Sequence, residues 1–195
     1  ADGALIITPY YNKPTQEGLY RHYKAIAESV DLPQVLYNIP GRTGVNMLPS
    51  TVARLCGLQS IVGIKEGSGS VQQASEIAST CGDRMTVLAG DDALTLPMMA
   101  VGAKGVISVT SNIVPSEMAQ LVKAFLSGRI DEARRIHFAL SPLFTALFYE
   151  TNPIPVKTAL GMMGKIDPEL RLPLCGMATE TKDQLTRVLK DAGLI

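Results

Sequence analysis

Five short apolar runs, at residues 3–8, 34–38, 61–66, 85–89 and 105–109, alternate with stretches of helical periodicity. No other feature restricts the chain so strongly. The runs are rich in Val, Ile and Leu and nearly continuous in apolarity, as in parallel strands covered on both faces. Between the first two, Leu19, Tyr23, Ile26 and Val30 recur at three- and four-residue spacing and predict a helix over 15–30. Pro49 and Ser50 predict a helix start running toward Cys56. Helical patterns over 70–80 and 91–101 complete the alternation, with Pro97 expected to distort the latter. A β-α-β-α order joined by right-handed crossovers gives a parallel sheet. After the fifth run the period changes. Met118, Leu121, Val122 and Phe125 mark one helix, Ile130, Ala133, Ile136, Leu140, Leu143 and Leu147 a longer one, and Leu185, Val188, Leu189 and Ala192 a last one. The expected division is a (β/α) portion over 1–127 and a helical region over 128–195.

Composition removes several functional classes. A hydrophobic content of 46% against 18% charged residues excludes disorder. The 18 basic and 18 acidic side chains cancel, so no bulk field draws the chain to nucleic acid or to an anionic membrane. No apolar stretch approaches the roughly 20 residues that span a bilayer. Small molecules are therefore the expected partners. Cys56, Cys81 and Cys175 are widely spaced without a C-x-x-C, which suggests reduced thiols in a cytoplasmic enzyme. Each reads as a small buried hydrophobe before it reads as a nucleophile. His22 and His137 sit inside helical patterns without ligand-like neighbours, so neither a metal site nor a cofactor is expected. The chain begins with Ala1, and the absence of a targeting segment carries no information.

The chemistry is concentrated at the ends of two of the runs. Residues two apart in a strand share a face, so Ile61, Gly63 and Lys65 point one way, as do Val35 and Tyr37 on the preceding run. Consecutive parallel strands are usually neighbours, about 4.8 Å apart. Both polar side chains stand near the C-terminal edge, where active sites of parallel α/β folds lie. Gly63 is expected to leave space below the lysine. A lysine so placed is poorly solvated, which favours the neutral amine that attacks carbonyls. A tyrosine hydroxyl within reach can carry protons through the imine and enamine steps that follow. Lys104 lies at the opposite end of its run, and Lys157 closes an extended approach over 152–156. From the pattern alone, Lys65 is either a catalytic amine or a paired structural charge.

Six ordered motifs resemble the pyruvate-dependent class I aldolase superfamily, typified by dihydrodipicolinate synthase and N-acetylneuraminate lyase. They are Thr8-Pro9-Tyr10-Tyr11-Asn12, Tyr37-Asn38-Ile39-Pro40-Gly41-Arg42-Thr43-Gly44, Gly63-Ile64-Lys65-Glu66, Gly90-Asp91-Asp92, Gly105-Val106-Ile107-Ser108-Val109 and Asn152-Pro153-Ile154-Pro155-Val156-Lys157. The resemblance covers essentially the whole chain and is closest to the dihydrodipicolinate synthase family. It implies that Lys65 forms the Schiff base with pyruvate, that Tyr37 carries protons, and that Tyr11 completes the relay of a neighbouring subunit in a homo-oligomer. Arg42 resembles the residue that binds the carboxylate of aspartate semialdehyde, and backbone groups around Gly90 and Ile107 resemble the lining of the pyruvate pocket. The last two read equally as packing positions.

Arg42 decides within the superfamily, because a guanidinium suits a carboxylated aldehyde through paired hydrogen bonds and a neutral sugar aldehyde does not need it. The expected activity is condensation of pyruvate with aspartate 4-semialdehyde in lysine and diaminopimelate biosynthesis. The alternatives are another pyruvate aldolase, acting on sialic or sugar acids, and a catalytically silent fragment. A (β/α)8 barrel typically needs about 250 residues. The resemblance therefore implies that these five runs are the fourth to eighth strands of such a barrel, with a C-terminal helical extension. The family's first three strands and its Gly-Thr-Thr-Gly segment have no counterpart here, and the chain alone is expected to be inactive.

Overall fold

Four of the five apolar runs form strands: β1 (Ala4–Ile7), β2 (Gln34–Asn38), β3 (Ile61–Glu66) and β4 (Thr86–Ala89). The structure, a computed structural model, describes residues 1–195. The strands make one parallel sheet in the order β1-β2-β3-β4. Residues 105–109 add only a single parallel bridge, between Ala89 and Val106. Beyond it Ser108 turns the chain, its hydroxyl accepting from the Ser111 N–H at 2.8 Å ahead of a 3₁₀ turn over Thr110–Asn112. A local side-chain-to-backbone bond diverts the ladder before it can lengthen. The expected five-stranded sheet thus has four strands.

The helices of the first half are α1 (Gln16–Ser29), α2 (Pro40–Thr43), α3 (Pro49–Leu55), α4 (Val71–Cys81) and α5 (Thr95–Ala100). Thr15 caps α1 by accepting from the Gly18 N–H at 3.2 Å, and Ser70 caps α4 by accepting from the Gln73 N–H at 3.1 Å. The pattern over 91–101 is split into a 3₁₀ turn, Asp92–Leu94, and α5. That split puts Pro97 in the first turn of a short helix, where a missing N–H is tolerated.

Leu36 and Ile64 are fully buried and share one face of the sheet, while Leu19, Tyr23, Val52, Leu55 and Ile77 bury the facing sides of α1, α3 and α4. Each such side chain contributes about 1.5–3 kcal/mol, against about 0.2–1 kcal/mol for an exposed ion pair such as Arg21–Glu17. The apolar layer therefore dominates. The other face is less covered than expected, with Leu5 47% and Ile7 39% exposed. Right-handed crossovers between strands in sequential order all pass on the same side, which leaves the opposite face without helices.

The chain divides into two compact units, Ala1–Ile107 and Ser108–Ile195. The second holds α6 (Pro115–Leu126), α7 (Ile130–Ala146), α8 (Ile154–Met162) and α9 (Thr179–Asp191), with α6 packed on α7 and both α7 and α8 on α9. The division falls before the expected 127/128 boundary because α6 buries Met118, Leu121 and Ala124 and packs on α7. The expected extended approach over 152–156 is the start of α8 instead. Pro155 stands in its first turn, where proline favours a helix, and the Lys157 ammonium donates to the Glu169 carbonyl. No helix is long and apolar enough to cross a membrane.

Candidate active site

The register of β2 and β3 pairs Val35 with Gly63, Leu36 with Ile64, Tyr37 with Lys65 and Asn38 with Glu66. A bulge after Gln34 skips Val62, which is 41% exposed, and aligns Ile61 with Gln34. Ile61 therefore does not share the Lys65 face as strict alternation suggested. Gly63 does not open space either: a Cβ there would stand 3.0 Å from the Thr86 carbonyl oxygen and 3.7 Å from Val35 Cγ1. Its role is to let β4 approach.

Lys65 Nζ lies 4.1 Å from the centroid of the Tyr37 ring. Burial strips water from the ammonium and lowers its pKa; Asp92 opposes this and Arg42 adds to it. The ring face also favours the ammonium, by about 0.5–2 kcal/mol in such contacts, yet desolvation is the largest influence and the direction is down. Burial raises the Tyr37 pKa, with Arg42 opposing. The pair thus combines an amine pushed toward neutrality with a phenol that keeps its proton.

Arg42 reaches this pair from α2, the short helix that follows β2 after Ile39. Gly44, at φ +71°, ends that helix, and its N–H donates to the Pro40 carbonyl at 2.8 Å. The Thr43 hydroxyl lies 3.0 Å from the Val45 carbonyl and accepts from the buried Thr8 hydroxyl at 3.3 Å. These contacts hold the turn that presents the exposed guanidinium. Tyr11 is elsewhere: it sits after β1 at φ +56° and is 93% exposed, so this chain does not pack it against Lys65.

Gly90 and Ile107 fasten the end of β4. The Gly90 N–H donates to the Glu66 carbonyl at 2.7 Å and the Ile107 N–H to the Ala89 carbonyl at 3.0 Å. Neither N–H is left for a ligand; only the carbonyls remain. A Cβ on Gly90 would sit 2.9 Å from both the Glu66 oxygen and Gly67 Cα, which are backbone atoms with little freedom to move. Gly90→Ala should therefore lower stability by about 1–3 kcal/mol, read as an earlier urea midpoint with an unchanged slope. An unshifted midpoint would show that the strand end yields freely.

The sequence pattern missed the polar cluster behind the pair. Glu66 and Asn38 are fully buried, and the Glu66 carboxylate accepts from Asn38 Nδ2 at 3.1 Å, Gln73 Nε2 at 3.1 Å and the Ser68 N–H at 2.6 Å. The available signal was two polar residues on the covered face of otherwise apolar strands. Asp92, also buried, was seen only as part of a motif; its electrostatic effect on Lys65 places it in the same neighbourhood.

The sequence profile of the Dihydrodipicolinate synthetase family matches residues 1–192. The 4-hydroxy-tetrahydrodipicolinate synthase of Geotalea daltonii is 61% identical over 195 residues, all of this chain and 67% of that protein. The enzyme of the same name from Thermodesulfovibrio yellowstonii is 60% identical with the same coverage. Among solved structures, the dihydrodipicolinate synthase of Thermotoga maritima superposes with a TM-score of 0.98 at 49% identity, covering 100% of this chain and 68% of that one. A structure described as the first monomeric dihydrodipicolinate synthase variant gives a TM-score of 0.98 at 48% identity, covering 100% and 66%.

Proposed function

The chain belongs to the dihydrodipicolinate synthetase family, and from that premise we propose that it condenses pyruvate with aspartate 4-semialdehyde to 4-hydroxy-tetrahydrodipicolinate. The observation that carries the chemistry is the half-buried Lys65, its amine pushed toward neutrality, over the ring of a tyrosine that keeps its proton. Neutral Lys65 Nζ attacks C2 of pyruvate, and the resulting carbinolamine takes a proton from the Tyr37 hydroxyl and loses water. The iminium charge develops at Nζ, where the Tyr37 ring face attracts it. The Tyr37 phenolate left by that donation takes a proton from C3, and as the enamine carbon attacks the aldehyde carbon the Tyr37 hydroxyl gives that proton to the aldehyde oxygen. The amino group of the semialdehyde portion next attacks C2, closing the ring and expelling Lys65 as the free amine. One water is released overall.

Arg42 pairs with the carboxylate of the semialdehyde, and the carbonyls at Gly90 and Ile107 line the pyruvate side. Tyr11, held outward on its turn, completes the proton relay of a neighbouring copy in a homo-oligomer. In this reading β1 to β4 are the fourth to seventh strands of an eight-stranded barrel, residues 105–109 stand at the eighth position, and 128–195 form the helical extension. The barrel's other strands cover the face that carries Leu5 and Ile7. An aldolase for a neutral sugar aldehyde is not favoured, because it gives Arg42 no carboxylate to bind.

The test is incubation of a protein carrying the complete barrel with pyruvate and borohydride, followed by peptide mass mapping. The reduced adduct is expected on Lys65. An adduct on Lys157 or Lys104 with Lys65 unmodified would overturn the assignment.

A further inference from the structure

We propose that Glu66 is a positioning residue whose buried carboxylate, caged by Asn38, Gln73 and the Ser68 backbone, locks the ends of β2 and β3 so that Lys65 keeps its half-buried place against Tyr37. The proposal rests on the reading of Lys65 as the imine-forming amine. Tyr37–Lys65 and Asn38–Glu66 are consecutive rungs of one ladder, on opposite faces of the sheet. Whatever fixes the second rung removes the freedom of the first. The cage reaches well beyond the strands. Asn38 Oδ1 accepts from the Met47 N–H at 2.9 Å, Asn38 Nδ2 donates to Asn46 Oδ1 at 2.8 Å, and Asn46 Nδ2 donates to Gln73 Oε1 at 2.9 Å. One carboxylate therefore ties two strand ends to α4 and to the segment before α3.

Simple packing does not explain this choice of side chain. Burying a carboxylate is costly, and an apolar residue would fill the covered face at less expense. What the carboxylate adds is direction, since its neighbours Asn38 Nδ2, Gln73 Nε2 and the Ser68 N–H are all donors. A direct charge effect on the amine does not explain it either. The groups that shift Lys65 are Asp92 after β4 and Arg42 on α2, with the Tyr37 ring facing it from β2, and Glu66 is not among them. Its influence runs through geometry.

Glu66→Gln keeps the shape and tests the role. With its oxygen kept toward Ser68, the new amide nitrogen faces two donors, Asn38 Nδ2 and Gln73 Nε2. The rung loosens, Lys65 becomes more fully hydrated, and the amine becomes harder to deprotonate. The measurement is the rate of borohydride-trappable imine formation with pyruvate across pH, with the adduct mapped to Lys65, in a protein carrying the complete barrel. The profile should move about one pH unit to the alkaline side, an about tenfold slower imine formation at neutral pH. The double variant Asn38→Asp/Glu66→Gln restores one carboxylate to the cage and should return the profile toward that of the parent. An acid shift would mean that Glu66 acts by its charge, and a lower melting temperature with an unmoved profile that it only packs; either overturns the proposal. Should Glu66→Gln fail to fold, Gln73→Met removes one strut alone and should give a smaller alkaline shift, an unmoved profile again overturning the idea. If the parent protein itself gives no Lys65 adduct, it is the functional reading that fails, and the parent arm shows this before any variant is compared.

Discussion

Lys65→Ala should lower turnover of pyruvate and aspartate 4-semialdehyde by about 10⁴-fold or more, and Lys65→Arg should do no better. At about 1.36 kcal/mol per tenfold, that is a loss of about 5.4 kcal/mol of transition-state stabilisation. The arginine variant separates two roles that alanine merges. It keeps a positive charge over the Tyr37 ring, but a guanidinium does not deprotonate in proteins and offers no free amine. An ordinary lysine with a pKa of about 10.4 is less than about 0.1% neutral at pH 7. Desolvation lowers the Lys65 value, so more of the amine is reactive at that pH. The sign gives a second readout. Because the neutral form attacks, imine formation should rise with pH and level off below the ordinary lysine range. Steady-state rates beside thermal melts of both variants make the check. A Lys65→Ala protein that folds and keeps more than about a tenth of the activity would remove the Schiff base from the mechanism.

The pairing behind this prediction was legible because it depends on short-range rules. A period of two places Tyr37 and Lys65, and consecutive parallel strands place them side by side; the observed register joins them directly. What was not legible depends on longer range or on very short elements. The four residues of α2 are too few to show a period, so the helix that carries Arg42 left no trace in the pattern. The proline-rich stretch at 152–156 suggested extended chain, yet proline in a first helical turn is favourable, and α8 begins there. The run at 105–109 has the same composition as its predecessors, but Ser108 supplies a competing local bond. The Glu66 cage joins residues 28 and 27 positions apart, in the Asn38–Glu66 and Asn46–Gln73 contacts. No local pattern reports such contacts. Gly63 was misread because a missing side chain looks the same in sequence whether it makes room for a ligand or for a neighbouring strand.

Tyr37→Phe should depress kcat by about 10²- to 10⁴-fold while leaving pyruvate affinity nearly unchanged. The geometry makes this substitution unusually clean. Lys65 Nζ rests over the ring and not on a bond to the hydroxyl, so phenylalanine preserves both the ring contact and the partial burial that lowers the lysine pKa. Only the hydroxyl is lost. Arg42→Ala should divide differently, weakening use of the semialdehyde by about ten- to a hundredfold, the about 1.5–3 kcal/mol of a charge-assisted contact. It should also carry a smaller signature at the amine. The guanidinium helps to lower the Lys65 pKa, so its removal should move the imine-formation profile slightly toward alkaline pH, whereas Tyr37→Phe should not move it. Borohydride trapping with pyruvate alone, set beside full turnover, separates the two variants. Tyr37→Phe should form imine too slowly and turn over poorly with both substrates saturating, while Arg42→Ala should form imine well and fail at the aldehyde. Equal losses at both stages in Arg42→Ala would show that the arginine serves the pyruvate site, and undiminished turnover in Tyr37→Phe would move the proton relay to another hydroxyl.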